Sequence, residues 1–225
     1  MGNQSNNARS VYDQIKQKYP NKTVSQSYLR LDKNIQAVTG NGWTWDVIQG
    51  QGTPNTSERR LAQPDVFVAT AVTMFIMKAG SSTAATNDDI AKAVPNTYIN
   101  SILYSGLGEA ANLQNLYNGA LQLKVNNNVL FPAIDTRRFY RVPTSQKGIL
   151  GGTGGVVVNA DGYDSTFYSY FGLTPTLEIS GANTNEFSIS LPASLALAGT
   201  STTNFAILYF AGWLVQGGSQ WNSGR

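Results

Sequence analysis

Residues 65–78, from Asp65 through Lys78, place the tightest limit on what this chain can fold into. The run is dense in β-branched and aromatic residues and contains neither Gly nor Pro, which suits a strand. Read with a period of two, Val66, Val68, Val72, Met74 and Ile76 fall on one face. Phe67, Ala69, Ala71, Phe75 and Met77 fall on the other. A strand apolar on both faces has to be covered on both. One cover is the core of the domain, and the expected second cover is a neighbouring subunit. Thr70 and Thr73 interrupt the run, and a second apolar stretch spans residues 205–215. Both are shorter than the roughly 20 residues a membrane-crossing helix needs, so no transmembrane segment is expected.

Turn residues punctuate the rest of the chain at short intervals. Strands are expected over residues 24–31, 43–48, 156–158, 174–180, 187–191 and 204–215, with extended chain over 93–102. Leu121, Leu123 and Val125 alternate before Asn126-Asn127-Asn128, and Val129 and Phe131 resume the pattern, which reads as a hairpin. Pro132 bends or ends its second strand. Two segments carry helical spacing. Val11, Tyr12, Ile15 and Tyr19 share one side of residues 8–19, stopped by Pro20. Leu107, Ala110, Ala111, Leu113 and Tyr117 recur over residues 106–117, stopped by Asn118-Gly119. A helix as short as 8–19 is marginal alone and must dock on its own body or on a neighbour. The expected layout is a helical arm (1–23), a mainly-β antiparallel sandwich forming a single jelly roll with one internal helix (24–215), and a polar tail (216–225).

Composition narrows function by exclusion. The chain has no Cys and no His, which removes disulfides, thiolate and imidazole metal sites, and Ser-His-Asp or Cys-His nucleophiles. Charged residues make up 13%, against about a quarter in ordinary soluble domains. A surface built on Asn, Gln, Ser, Thr and Gly tolerates close self-association. The expectation is a non-enzymatic, self-assembling structural protein. Charge is also uneven: residues 1–33 hold six basic and two acidic side chains, net +4. From residue 142 on there are two basic and four acidic, net −2. Lys16, Lys18 and Lys22 on the arm are therefore candidates for a subunit interface or nucleic-acid contact. The polar N-terminus shows no secretory-signal pattern, and Asn6 stands where a myristoylation signal needs Ser or Thr.

No motif identifies a reaction. The glycine-rich run 148–155 fits neither a P-loop nor a dinucleotide fingerprint and reads as a loop. Asn159, Asp161 and Asp164 resemble part of a calcium loop, with Gly162 at the turn, but Val157 and Tyr168 break the EF-hand pattern. They remain weak metal candidates, with calcium the only cofactor in view; otherwise none is expected. Asp88-Asp89 suit a helix start. Asp161 with Asp164, or Glu178 with Glu186, could form a glycosidase pair only if a cleft separates them suitably. Arg137, Arg138 and Arg141, interleaved with Phe139 and Tyr140 on an expected short strand over 137–142, suit ion pairs or phosphate contact, with Asp135 the local partner. Trp43 and Trp45 share a strand face, as a core or interface pair or as a sugar platform; Trp213 and Trp221 complete the tryptophans.

The central sequence resembles virion structural proteins of bacterial viruses, of the jelly-roll type. The resemblance rests on Leu116-Tyr117-Asn118-Gly119, Val125-Asn126-Asn127, Asp135-Thr136-Arg137-Arg138-Phe139 and Arg141-Val142-Pro143-Thr144-Ser145-Gln146. Leu61-Ala62-Gln63-Pro64-Asp65-Val66-Phe67-Val68 and Leu177-Glu178-Ile179-Ser180-Gly181-Ala182-Asn183 extend it. It implies a capsid (coat) or capsid-associated subunit of a bacteriophage, such as a tailless icosahedral virus. It further implies assembly in the host cytoplasm and residence in the virion. Partners would be copies of itself and other virion proteins, with genome or internal-membrane contact through the arm. The alternative is a receptor- or glycan-binding module, a phage fibre head or a lectin-like adhesin.

Overall fold

The computed structural model describes residues 2–36, 38, 40–80, 85–100, 103–104, 107–142, 169–195, 197 and 203–219, with backbone alone for 2–8 and 107–108. The chain opens with helix α1 (Gly2–Lys18) and continues into β1 (Val24–Asn34), β2 (Gly42–Trp45) and β3 (Val66–Ala79). Helices α2 (Asn87–Lys92) and α3 (Leu107–Gln114) follow, the latter running into a 3₁₀ turn, Asn115–Asn118. The remaining strands are β4 (Ala120–Val125), β5 (Asn128–Asp135), β6 (Phe171–Ser180), β7 (Asn185–Ser190) and β8 (Thr203–Val215). The protein is mainly β, with two four-stranded antiparallel sheets ordered β1-β8-β3-β6 and β2-β7-β4-β5.

Alternation builds both sheets from the sequence upward. Leu29 and Leu31 of β1, Leu121 and Leu123 of β4, Phe187 and Ile189 of β7, and Leu208 and Phe210 of β8 all turn into one shared core. Phe187 and Phe210 meet across it with ring centroids 5.1 Å apart. The Trp45 indole crosses it too, Nε1 donating to the Ala206 carbonyl oxygen at 3.2 Å. Trp43 and Trp45 pack edge to face at 5.6 Å and are both buried, so they are core residues and form no sugar platform.

Strand β3 departs from the period-two reading at one point. Ala69 pairs with Gly212 and Ala71 with Ala211, so Thr70 is an extra residue, and its hydroxyl donates to the Ala211 carbonyl. Such a bulge exchanges the faces of everything beyond it. Phe67, Ala69, Val72, Met74 and Ile76 consequently face the shared core. Val66 and Val68 lie outside with Phe75, Met77 and Ala79.

The outer cover of β3 comes from the chain itself, correcting the expectation of a neighbouring subunit. At one end α1 lays Val11 and Ile15, with Tyr19 just past its end, on Val66, Val68, Val215 and Trp213. At the other, Ile90 of α2 with Ala85 and Ala93 packs on Phe75, Met77, Phe205 and Ile207. Asp89 belongs to a capping box with Thr86 at the start of α2, as its position before an apolar residue suggested. Among the described residues two α-helices rather than one thus lie inside the domain, and of the expected extended chain over 93–102 the described part, 93–100, pairs through a bridge from Asn96 to Ile76.

The hairpin forms at Asn126 and Asn127, both with positive φ, which Asn tolerates better than most side chains. Strand β5 continues through Pro132 to Asp135, because an edge strand does not need every N–H. The expected basic strand is instead a 3₁₀ turn, Thr136–Phe139. Asp135 caps it by accepting from the Arg137 amide, and the Thr136 hydroxyl donates to the Gly119 carbonyl while accepting from its amide. The glycine-rich run 148–155 and the expected strand 156–158 lie outside the described residues.

Where β3 and β8 cross the bulge they approach closely. A Cβ on Gly212 would overlap the Val68 carbonyl oxygen. Gly212→Ala should therefore lower stability by about 1–3 kcal/mol, as overpacking does. Urea denaturation would show this as a lower midpoint with an unchanged slope.

Candidate functional site

The N-terminal helix meets the β-body through one polar contact set amid apolar packing. Tyr19 is buried, and its hydroxyl donates to Glu178 Oε1 at 2.6 Å. Lys18 pairs with the other Glu178 oxygen. Farther up the helix, Tyr12 packs on Trp213 with centroids 5.2 Å apart. Lys16 donates through Nζ to the Lys22 carbonyl at 3.0 Å. Two of the three arm lysines proposed for outside partners thus bind atoms of their own chain. Burial, then the hydrogen bond and charge of Glu178, push the Tyr19 phenol far above its ordinary value.

The arginine group lies elsewhere. Arg138 sits over the Phe171 ring at 5.2 Å, and Phe139 is buried in the core. Arg137 and Arg141 are exposed, and the Arg141 backbone is clasped by Thr97. Val68 pairs with Glu178 and Val72 with Phe171, so about 13 Å of strand separates the lysine and arginine groups. They do not form one basic surface.

The one candidate carboxylate pair among the described residues, Glu178 with Glu186, is dispersed too. Glu178 is on β6 beside α1, while Glu186 is on β7 of the other sheet, held by Lys124 at 3.2 Å. Leu177 and Ile179 point inward from β6, as Phe187 does from β7, so the two glutamates project from opposite outer faces with the core between them. With the core between them, Glu178 and Glu186 do not form a glycosidase pair. Among the described residues no group of three or more His, Cys, Asp or Glu is placed to hold a metal. Asn159, Asp161 and Asp164 lie outside the described residues, as does Trp221.

Two polar clusters escaped sequence reasoning, each built around an arginine of the loop that flanks β1 or of β1 itself. Arg59 and Arg30 exchange backbone hydrogen bonds, bringing residues 57–60 alongside the strand. Arg30 then holds the buried Asp32 carboxylate with two bonds, 3.0 and 3.2 Å, and Ser57 adds a third at 2.8 Å. Arg60 grips Glu58 in the same way. The second cluster is a ladder of rings. The Arg59 guanidinium lies 4.8 Å from the Tyr28 ring centroid. Tyr28 stacks on Tyr209 at 5.1 Å and 7°, and Tyr170 meets Tyr209 edge-on at 6.1 Å. Burial first, then Tyr28, raises the Tyr209 phenol, and Arg30 and Arg59 oppose the rise. Burial, then Tyr209, pushes Tyr170 up to about 12. The one local signal was alternation over residues 24–31, which places Tyr28 with Arg30 on a common strand face.

Comparison of the chain with protein-family models, with curated proteins and with solved structures gave no match.

The arm contact has a definite pH dependence. A phenol whose folded pKa is raised stabilises the fold fully below its unfolded pKa of about 10, and that contribution is lost as pH climbs beyond it. Tyr19→Phe removes both the bond to Glu178 and this titration. The melting temperature of the wild-type chain should exceed that of Tyr19→Phe at pH 8, and the gap should close above pH of about 10. Thermal melts across that range give the comparison.

Proposed function

We propose that this protein is a virion structural subunit whose two sheets form a single jelly roll. One observation carries the reading: β1 pairs with β8, β2 with β7, β3 with β6, and β4 with β5. That is the pairing of one long antiparallel ribbon, closed at the β4–β5 hairpin and wrapped on itself. The β3–β8 and β4–β7 contacts join the wrapped ribbon into two sheets. An eight-strand ribbon wrapped this way is the jelly roll found in viral coat and lectin domains. It gives a rigid block with loops at its ends, a form that tiles into closed shells.

Because α1 and α2 cover the outer face of β3, contact between copies falls on another surface. Strand β5 is the edge of its sheet, and Val129 and Leu130 are each 47% exposed on it. From Asn128 to Ile134 that edge carries no charge. Natural edges are ordinarily blunted by charge, bulges or proline, and an uncharged apolar edge favours pairing with another chain. Pro132 limits the pairing to the first half of the strand. In this reading the partners are other copies and other virion proteins, and the place is the virion. The exposed Arg9 and Arg137 remain available to a genome or an internal membrane.

Size exclusion with light scattering, and negative-stain images of the same fractions, tests the proposal. Trimers, pentamers or closed shells are the expected outcome, and a monomer at every concentration would overturn it. Leu130→Lys should shift the population to monomers. Its melting temperature should hold, since exposed substitutions alter stability by only about 0.5 kcal/mol.

A further inference from the structure

Among the described residues, the outer face of sheet β1-β8-β3-β6 is left open between its two covers. Register aligns Gln26, Trp213, Val68 and Glu178 in a row beneath α1. The next row is Tyr28, Ala211, Ala71 and Gly172, and the one after it begins Arg30, Tyr209, Thr73. Ala211, Ala71 and Gly172 carry almost no side chain, so a shallow floor runs beside the tyrosines, and Gly172 on it is exposed. Arg59 approaches β1 from the side opposite β8, so the Tyr28 ring is held between its guanidinium and Tyr209.

With its faces occupied, this ladder presents ring edges. The hydroxyls of Tyr28, Tyr209 and Tyr170 make no hydrogen bond with a described residue, and neither does the guanidinium of Arg59. Charge in the neighbourhood is otherwise matched: Arg30 with Asp32, and Arg60 with Glu58 and the nearby Asp46. Arg59 is the one guanidinium of this cluster with no carboxylate within salt-bridge range among the described residues. The result is a stack of a guanidinium and two rings, at centroid steps of 4.8 and 5.1 Å, with a cation at one end and phenols along the rest.

We propose that this ladder is a binding site for an acidic sugar, with Arg59 taking the carboxylate and the phenols of Tyr28 and Tyr209 meeting the ring hydroxyls. A guanidinium fork matches a carboxylate in two bonds, and phenols both donate to and accept from sugar hydroxyls. The cation and the phenols lie within two stacking steps of each other, close enough to engage one sugar ring together, and the open floor gives the rest of a glycan a path over the sheet. A single unmatched cation argues against nucleic acid, whose binding depends on neutralising several phosphates at once. The site is independent of the shell reading, since a monomer would carry it equally.

The test is saturation-transfer NMR of the full chain, with glucuronic acid, N-acetylneuraminic acid, glucose, inorganic phosphate and a single-stranded oligonucleotide as separate probes. The acidic sugars should bind, and about tenfold more tightly than glucose, as loss of a charge-assisted bond predicts. Arg59→Gln should bring them down to the level of glucose, whereas Arg137→Gln, a change at an exposed cation elsewhere, should leave them unaffected. Tyr28→Phe and Tyr209→Phe keep the stack and lose the hydroxyls, so each should weaken binding without lowering the melting temperature. Acidic sugars bound no better than glucose, or bound equally by Arg59→Gln, would overturn the proposal. So would phosphate or the oligonucleotide displacing the sugars through Arg59.

Discussion

Everything in this structure leans on the burial of β3 from both sides. Its inner residues, Phe67, Val72, Met74 and Ile76, hold one wall of the shared core. Its outer residues need a second wall, and the chain supplies it with two separate helices. Each apolar side chain buried there is worth about 1.5–3 kcal/mol relative to exposure, so leaving either end open would cost more than a marginal domain can bear. The positions of α1 and α2 therefore follow from what β3 exposes.

The bulge at Thr70 makes that arrangement workable. Without the extra residue, the two ends of β3 would present their larger side chains to opposite sides. With it, Val66 and Val68 join Phe75 and Met77 outside, and Phe67 joins Met74 inside. The same irregularity places Ala71 and Ala211 where the two covers stop short of each other. The open row beside Tyr28 is thus a consequence of how the core strand is kinked, and the ladder of rings occupies the only ground the helices leave to it among the described outer residues.

Much of the β architecture was legible in local pattern. The residues of β4, the first half of β5, the turn at Asn126-Asn127 and the strand ends near Ser180 and Val215 all follow from alternation and turn chemistry, which act over a few residues. The first helix was legible for the same reason, through Val11, Ile15 and Tyr19. Less was readable where a short-range device competes with alternation. Residues 137–142 alternate convincingly, yet Asp135 and Thr136 supply the capping bonds that wind Thr136–Phe139 into a turn. The ladder was invisible because Tyr28, Arg59, Tyr170 and Tyr209 are scattered across the whole chain.

What the sequence determined by itself was the kind of fold: strands from period-two burial, absence of histidine and cysteine chemistry, and a β3 that required two covers. Alternation records that a face is buried, because hydrophobic free energy depends on the area removed from water and not on what removes it. Only the tertiary structure decided that the cover of β3 is this same chain, that Glu178 receives Tyr19 and Lys18, and that Arg59 meets Tyr28. Those contacts join residues far apart in the chain, and pairing at such distance is settled by strand register across the two sheets, which no local window contains.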